Sequence, residues 1–103
     1  MSANIILGQL QEGARAGIAQ LPAPAPLAQT YVETAATAQH TAAASLPDET
    51  GKYFWDIDVK DVTAWVKAGV DAVAVVGEGW RVTDGNGLQL AAVDGHRVSV
   101  IFE

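Results

Sequence analysis

The chain has 103 residues, with six Lys plus Arg against twelve Asp plus Glu and a formal net charge of −6. That balance argues against a nucleic-acid surface, which needs a basic patch to displace counterions, and against docking on anionic lipid. Cysteine is absent, which excludes disulfides, thiolate metal sites and thiol catalysis, and His40 and His96 are too few for a multi-histidine metal centre in one chain.

The opening Met1-Ser2-Ala3-Asn4 carries no basic side chain, and Ile5-Ile6-Leu7 is too short for the apolar region of a signal peptide. No apolar run approaches the roughly 20 residues that a membrane span requires. The expectation is a protein made in the cytoplasm and not exported by such a signal.

Composition changes near residue 50. The first 50 residues are rich in Ala, Thr, Gln and Pro, with one basic residue (Arg15) and one aromatic (Tyr31), whereas the last 53 hold all three tryptophans and both phenylalanines. Large apolar side chains each contribute roughly 1.5–3 kcal/mol when buried. Residues 51–103 therefore read as a β-rich body, and residues 1–50 as an N-terminal arm or anchor.

Within the arm, Ile6, Leu7, Leu10, Ala14, Gly17, Ile18 and Leu21 recur at steps of three and four, which predicts a helical stripe weakened by Gly8, Gly13 and Gly17. Pro22-Ala23-Pro24-Ala25-Pro26 stops any helix and reads as a semi-rigid spacer. Residues 27–46 are alanine-rich with few large apolar side chains (Leu27, Tyr31, Val32 and Leu46). They fit either a thin helix against copies of itself or an extended arm ordered on a neighbour. Pro47-Asp48-Glu49-Thr50-Gly51 is a boundary of turn formers.

In the second half, residues 53–60 alternate, with Tyr53, Trp55, Ile57 and Val59 on one face and Phe54, Asp56, Asp58 and Lys60 on the other, the strongest strand signal in the chain. Residues 62–66 fit a strand or a short helix, and valine and threonine favour the strand. Further strands are predicted at 70–76, 80–83, 88–93 and 97–102. Turns are predicted at Gly77-Glu78-Gly79, and hairpins at Asp84-Gly85-Asn86-Gly87 and Asp94-Gly95. The fold class is mainly β: a small antiparallel meander, sandwich or barrel-like body with a partly helical arm. The last strand is a candidate open edge. A body of about 50 residues buries a low fraction of its surface, which favours homo-oligomerisation.

Candidate sites are few. Asp56, Asp58 and Asp61 offer carboxylates for Mg²⁺ or Ca²⁺, or simply a solvated strand face. Asp84-Gly85-Asn86-Gly87 lacks the distal ligands of a calcium loop and reads as a turn. His96 sits in a turn and His40 in the Ala/Thr segment, neither beside a visible nucleophile. Trp55, Trp65 and Trp80 fit core or subunit interface better than a ligand platform. Together with Leu7, Leu10, Ile18, Leu21, Tyr31 and Val32 they form the candidate contact set for an oligomer or partner. No catalytic residue, cofactor or metal is assigned.

The Pro22-Ala23-Pro24-Ala25-Pro26 spacer, the Ala/Thr runs at 34–38 and 41–44, and the Asp-Gly turns at 84–85 and 94–95 give a layout that resembles small bacteriophage virion proteins, namely head-decoration (cement) proteins and short head- or tail-fibre subunits. The resemblance implies a β-rich, often trimeric subunit whose flexible arm adds to the sheets of a capsid, or anchors a fibre. The leading expectation is therefore a non-enzymatic structural protein of the virion, a homo-oligomer bound to another virion protein such as the major capsid protein. A fibre or anchor subunit is the nearest alternative. A small acidic protein that binds and inhibits a host protein is the alternative from another class, its charge complementing a basic partner.

Overall fold

The computed structural model describes residues 1–11, 21–22, 26–47 and 52–103. Nine strands are formed by the described residues: β1 (Ser2–Gln11), β2 (Leu21–Pro22), β3 (Ala28–Val32), β4 (Gln39–His40), β5 (Lys52–Lys60), β6 (Ala64–Gly69), β7 (Trp80–Val82), β8 (Gly87–Ala91) and β9 (Arg97–Phe102). They build two antiparallel sheets. In the first, β1 is flanked on one side by β2 and β3 and on the other by β5, which pairs in turn with β8; the second runs β4-β9-β6-β7.

The alternation of β5 sets the first sheet. Its register pairs Ile57 with Ile5 and Leu88, and Trp55 with Leu7 and Leu90, so apolar side chains of three strands share the inward face. The second sheet answers with Val98, Val100 and Phe102 of β9, Ala64 and Val66 of β6, and Val82 of β7. Both sets join one buried cluster, so the architecture is a sandwich with a single core.

Among the described residues neither the N-terminal arm nor its helix is supported. No helix is found among the described residues, and β1 hydrogen-bonds along nearly all of β5, from Ser2↔Lys60 to Leu10↔Lys52. The deciding period is two: Ala3, Ile5 and Leu7 are buried, while Asn4, Ile6 and Leu10 point to the other face and are half-covered. Leu7 and Leu10 therefore do not share a stripe. Ile18 and its neighbours in 12–20 lie outside the described residues, as do 23–25 of the proline segment and 48–51 of the expected boundary.

Residues 27–46 are extended, and they order on their own chain. Tyr31 and Val32 lie in β3, paired with Asn4 and Ala3 of β1. Residues 35–46 run along β9: Phe102 N–H donates to Ala35 O (2.9 Å), Thr41 N–H to Val98 O (2.9 Å) and Ala44 N–H to His96 O (2.8 Å). Ala35 and Ala44 are buried in the core, so small side chains here serve close approach of an irregular segment and not a helix.

Three further expectations change. β9 is no open edge, because it lies between β4 and β6. The turns at 84–86 and 94–95 form, with Gly85 and Gly95 at positive φ, but each carries the chain from one sheet to the other and closes no hairpin. The body is thus not a meander. Residues 70–76 are not a strand: β6 stops at Gly69.

Candidate functional site

The most distinctive surface is built by the segment expected to be a strand. After Gly69 the chain turns at Val70-Asp71 and doubles back over the outward face of β9. Two side chains of β9 hold it there. Arg97 donates from Nε to Ala72 O (3.0 Å), and Ser99 Oγ accepts the Ala74 N–H (2.7 Å). Ala74 and Ser99 are both buried by this contact.

Alternation then dictates what faces out. With Ala72 and Ala74 turned toward the sheet, Val73 and Val75 point away from it. Val70, Val73, Val75 and Val76 keep 44–64% of their surface exposed, four large apolar residues within seven positions. The pattern that predicted a strand is real, but side-chain hydrogen bonds replace the ladder.

The return of the segment is fixed by Gly77 and Gly79, at φ +91° and +85°, and by Glu78, whose N–H donates to Val75 O (3.1 Å). Lys67 reaches across from β6 to place Nζ 2.6 Å from Glu78 Oε2. That ammonium, by hydrogen bond first and by charge second, holds the Glu78 carboxyl below its ordinary range. The apolar strap is therefore tied down at both ends.

Ser99 also faces His40, with Oγ 2.9 Å from Nδ1. A serine beside a histidine invites a catalytic reading. Ser99, however, is fully buried and its oxygen already accepts the Ala74 N–H, so the pair fastens β4, β9 and the strap together. His96 lies at the turn that enters β9, where its N–H donates to Val93 O (3.0 Å).

The remaining sequence candidates scatter. Trp55 is core. Trp65 is half-covered on the outward face of the second sheet and donates from Nε1 to Glu103 Oε2 (3.3 Å), which also lies 3.6 Å from Arg81 Nε. Trp80 is exposed on the edge strand β7, on the face it shares with its partner Val66 and opposite the strap, and Tyr31 stands 61% exposed on the other sheet. Leu7 and Val32 are buried in the core. The expected contact set is thus not one surface. The exposed valines of 70–76 were missed because they were assigned to a strand; Asp71 near its start was the one local sign against it.

Asp56 and Asp58 share the outward face of β5, while Asp61 sits in the following turn at φ 60° with its N–H donating to Asp84 Oδ1 (2.7 Å). Partial burial, and then the charge of Asp58, push the Asp56 carboxyl above its ordinary value. Among the described residues no three His, Cys, Asp or Glu side chains are grouped to hold a metal ion.

Comparison with family models, with curated proteins and with solved structures finds no match to this chain.

Proposed function

We propose that this chain is a non-enzymatic structural protein that works by assembly: a homo-oligomeric, most simply trimeric, decorating protein of a bacteriophage particle, bound to the capsid surface. The observation that carries the assembly reading is the strap of Val70, Val73, Val75 and Val76, exposed yet tied to β9 and β6. Monomeric proteins rarely leave a contiguous apolar patch open to water, and a rigid one loses little entropy on docking. The particle assignment rests on the Ala/Thr/Pro-rich layout with its Asp-Gly turns. The mechanism differs from arm capture, because β1 already belongs to the core; the contact is made instead by a preformed apolar surface.

Two measurements test this reading. In sedimentation equilibrium the full chain should associate, and Val73→Glu with Val75→Glu should return it to a monomer of unchanged secondary structure. In particles purified from a host carrying this gene, mass spectrometry should find the chain in stoichiometric amounts. A chain that stays monomeric at high concentration and is absent from particles overturns the proposal.

A further inference from the structure

The strap lies on the second sheet, and the first sheet ends in a feature of its own. β8 is its outer strand, paired with β5 and with no strand beyond it among the described residues. Val59 N–H donates to Asn86 O (3.4 Å) and Ala92 N–H to Tyr53 O (3.1 Å) at the two ends of this ladder. By alternation Leu88 and Leu90 are the residues of β8 that hydrogen-bond to β5, and Gly87, Gln89 and Ala91 turn their N–H and C=O away from it. Among the described residues no backbone hydrogen bond reaches those groups from the far side.

The core is also unsealed along this edge. Ile57 and Trp55 of β5 are 0% and 2% exposed, yet their inward-facing partners Leu88 and Leu90 are only half-buried where the sandwich ends. The strand carries none of the usual guards of an edge: Gly87-Leu88-Gln89-Leu90-Ala91 has no charge and no proline, and its register is free of bulges. The opposite edge differs. The inward row of β3 is Ala28, Thr30 and Val32, whose one large apolar side chain is already buried.

We infer that β8 pairs antiparallel with β8 of a second copy, about a two-fold axis through Gln89. The strand fits itself in this register. Gln89 stands opposite the second copy's Gln89, and Gly87 opposite its Ala91. These are the positions with free main-chain groups, and each such pair exchanges two hydrogen bonds, about six in all. Leu88 then stands opposite the second copy's Leu90, at positions where side chains approach most closely, and the leucines of both copies close the inward row over both cores. A chain of net charge −6 meets itself here without placing like charges across the pair. Five residues a side is well short of the roughly 20–30 of a stable interface, so the pairing is weak between free copies. It gains strength where an assembly already holds copies together, through effective concentration. To that extent it rests on the assembly reading, but it uses a different surface from the strap.

The test uses the full ¹⁵N-labelled chain carrying Val73→Glu and Val75→Glu, so that contact through the strap is removed. As the protein is concentrated from tens of micromolar to a few millimolar, the amide signals of Gly87, Gln89 and Ala91 should move downfield, while those of Leu88 and Leu90, already bonded to β5, move far less. Gln89→Lys, which sets two ammonium groups against each other across the axis, should weaken this association at least tenfold and leave the other amide signals in place. With the strap intact, Gln89→Cys should oxidise to a disulfide-linked dimer several-fold faster than Tyr31→Cys at the opposite edge, in a chain that has no other cysteine. Amide signals that do not depend on concentration, shifts shared equally by Leu88 and Leu90, an association that Gln89→Lys leaves unchanged, or equal oxidation of the two cysteine variants would each overturn the pairing. None of these outcomes bears on whether the unaltered chain associates through its strap, which sedimentation reads separately.

Discussion

The ring of Phe54 lies across Gly8, its cross-strand partner: a Cβ built on Gly8 would stand 2.5 Å from Phe54 Cζ. A glycine in the interior of a strand costs roughly 0.5–1 kcal/mol, and here the ring covers the bare backbone in return. Gly8→Ala should therefore displace the ring and lower stability by about 1 kcal/mol. In a Phe54→Ala background the same substitution should become neutral or stabilising. Urea unfolding of the four proteins measures the coupling, and strict additivity would show that the two residues do not interact.

The two glycines that close the strap separate conformational strain from collision. Both have positive φ, but a Cβ at Gly77 meets open space, whereas one at Gly79 would stand 2.5 Å from Val66 O. Gly77→Ala should cost about 1–2 kcal/mol, the penalty of the left-handed region alone. Gly79→Ala should cost about 3 kcal/mol or more, because backbone must also move. Equal midpoints in thermal unfolding would contradict the close approach to β6.

Ser99 anchors the strap from beneath. Ser99→Ala leaves the buried Ala74 N–H without its acceptor and should cost about 1–3 kcal/mol. The informative readout is local: amide exchange at Ala74 should accelerate far more than at Val66 or Val100. Uniform acceleration would mean that the serine supports the whole sandwich and not the strap.

Asp56 gives stability a pH dependence of unusual sign. Its folded carboxyl is raised above the ordinary 3.8, first by burial and then by Asp58, so the folded chain binds the proton more tightly than the unfolded one. Its contribution to stability is then greatest below 3.8 and declines as pH rises through the raised value. Asp56→Asn should stabilise the protein at pH 7, and the advantage should vanish near pH 3. An advantage constant across that range would exclude titration of Asp56 as its source.

Much of the second half was legible because its signals are local. The period-two run at 53–60 and the glycines at 77, 79, 85 and 95 act through side-chain alternation and backbone freedom, which need no distant partner. β1 was misread for a physical reason. Ile6, Leu7 and Leu10 imitate helical spacing, while the inward set contains small Ala3, and Gly8 looks like a weak point until Phe54 is known to cover it. Alanines at 35 and 44 signal helix by propensity yet serve close packing along β9. The strap was invisible, because residues more than 20 positions apart define it: Ala74 with Ser99, and Ala72 with Arg97.

The placement of β9 between β4 and β6 also governs the order in which this molecule can come into being. His40 pairs with Ser99 and Ala64 with Phe102, so β4 and β6 must wait for the same late strand. β1 can pair with β2 and β3 once they emerge, but its longest ladder, from Ser2↔Lys60 to Leu10↔Lys52, waits for β5. During synthesis, before β9 emerges, only β6 and β7 of the second sheet can pair, and the valines meant for the core remain in water. Such long-range pairing makes folding slow, on the order of milliseconds to seconds, and leaves strand edges open to neighbouring nascent chains. An assembling protein whose copies are made side by side would meet its partners in that interval, before its sandwich has closed.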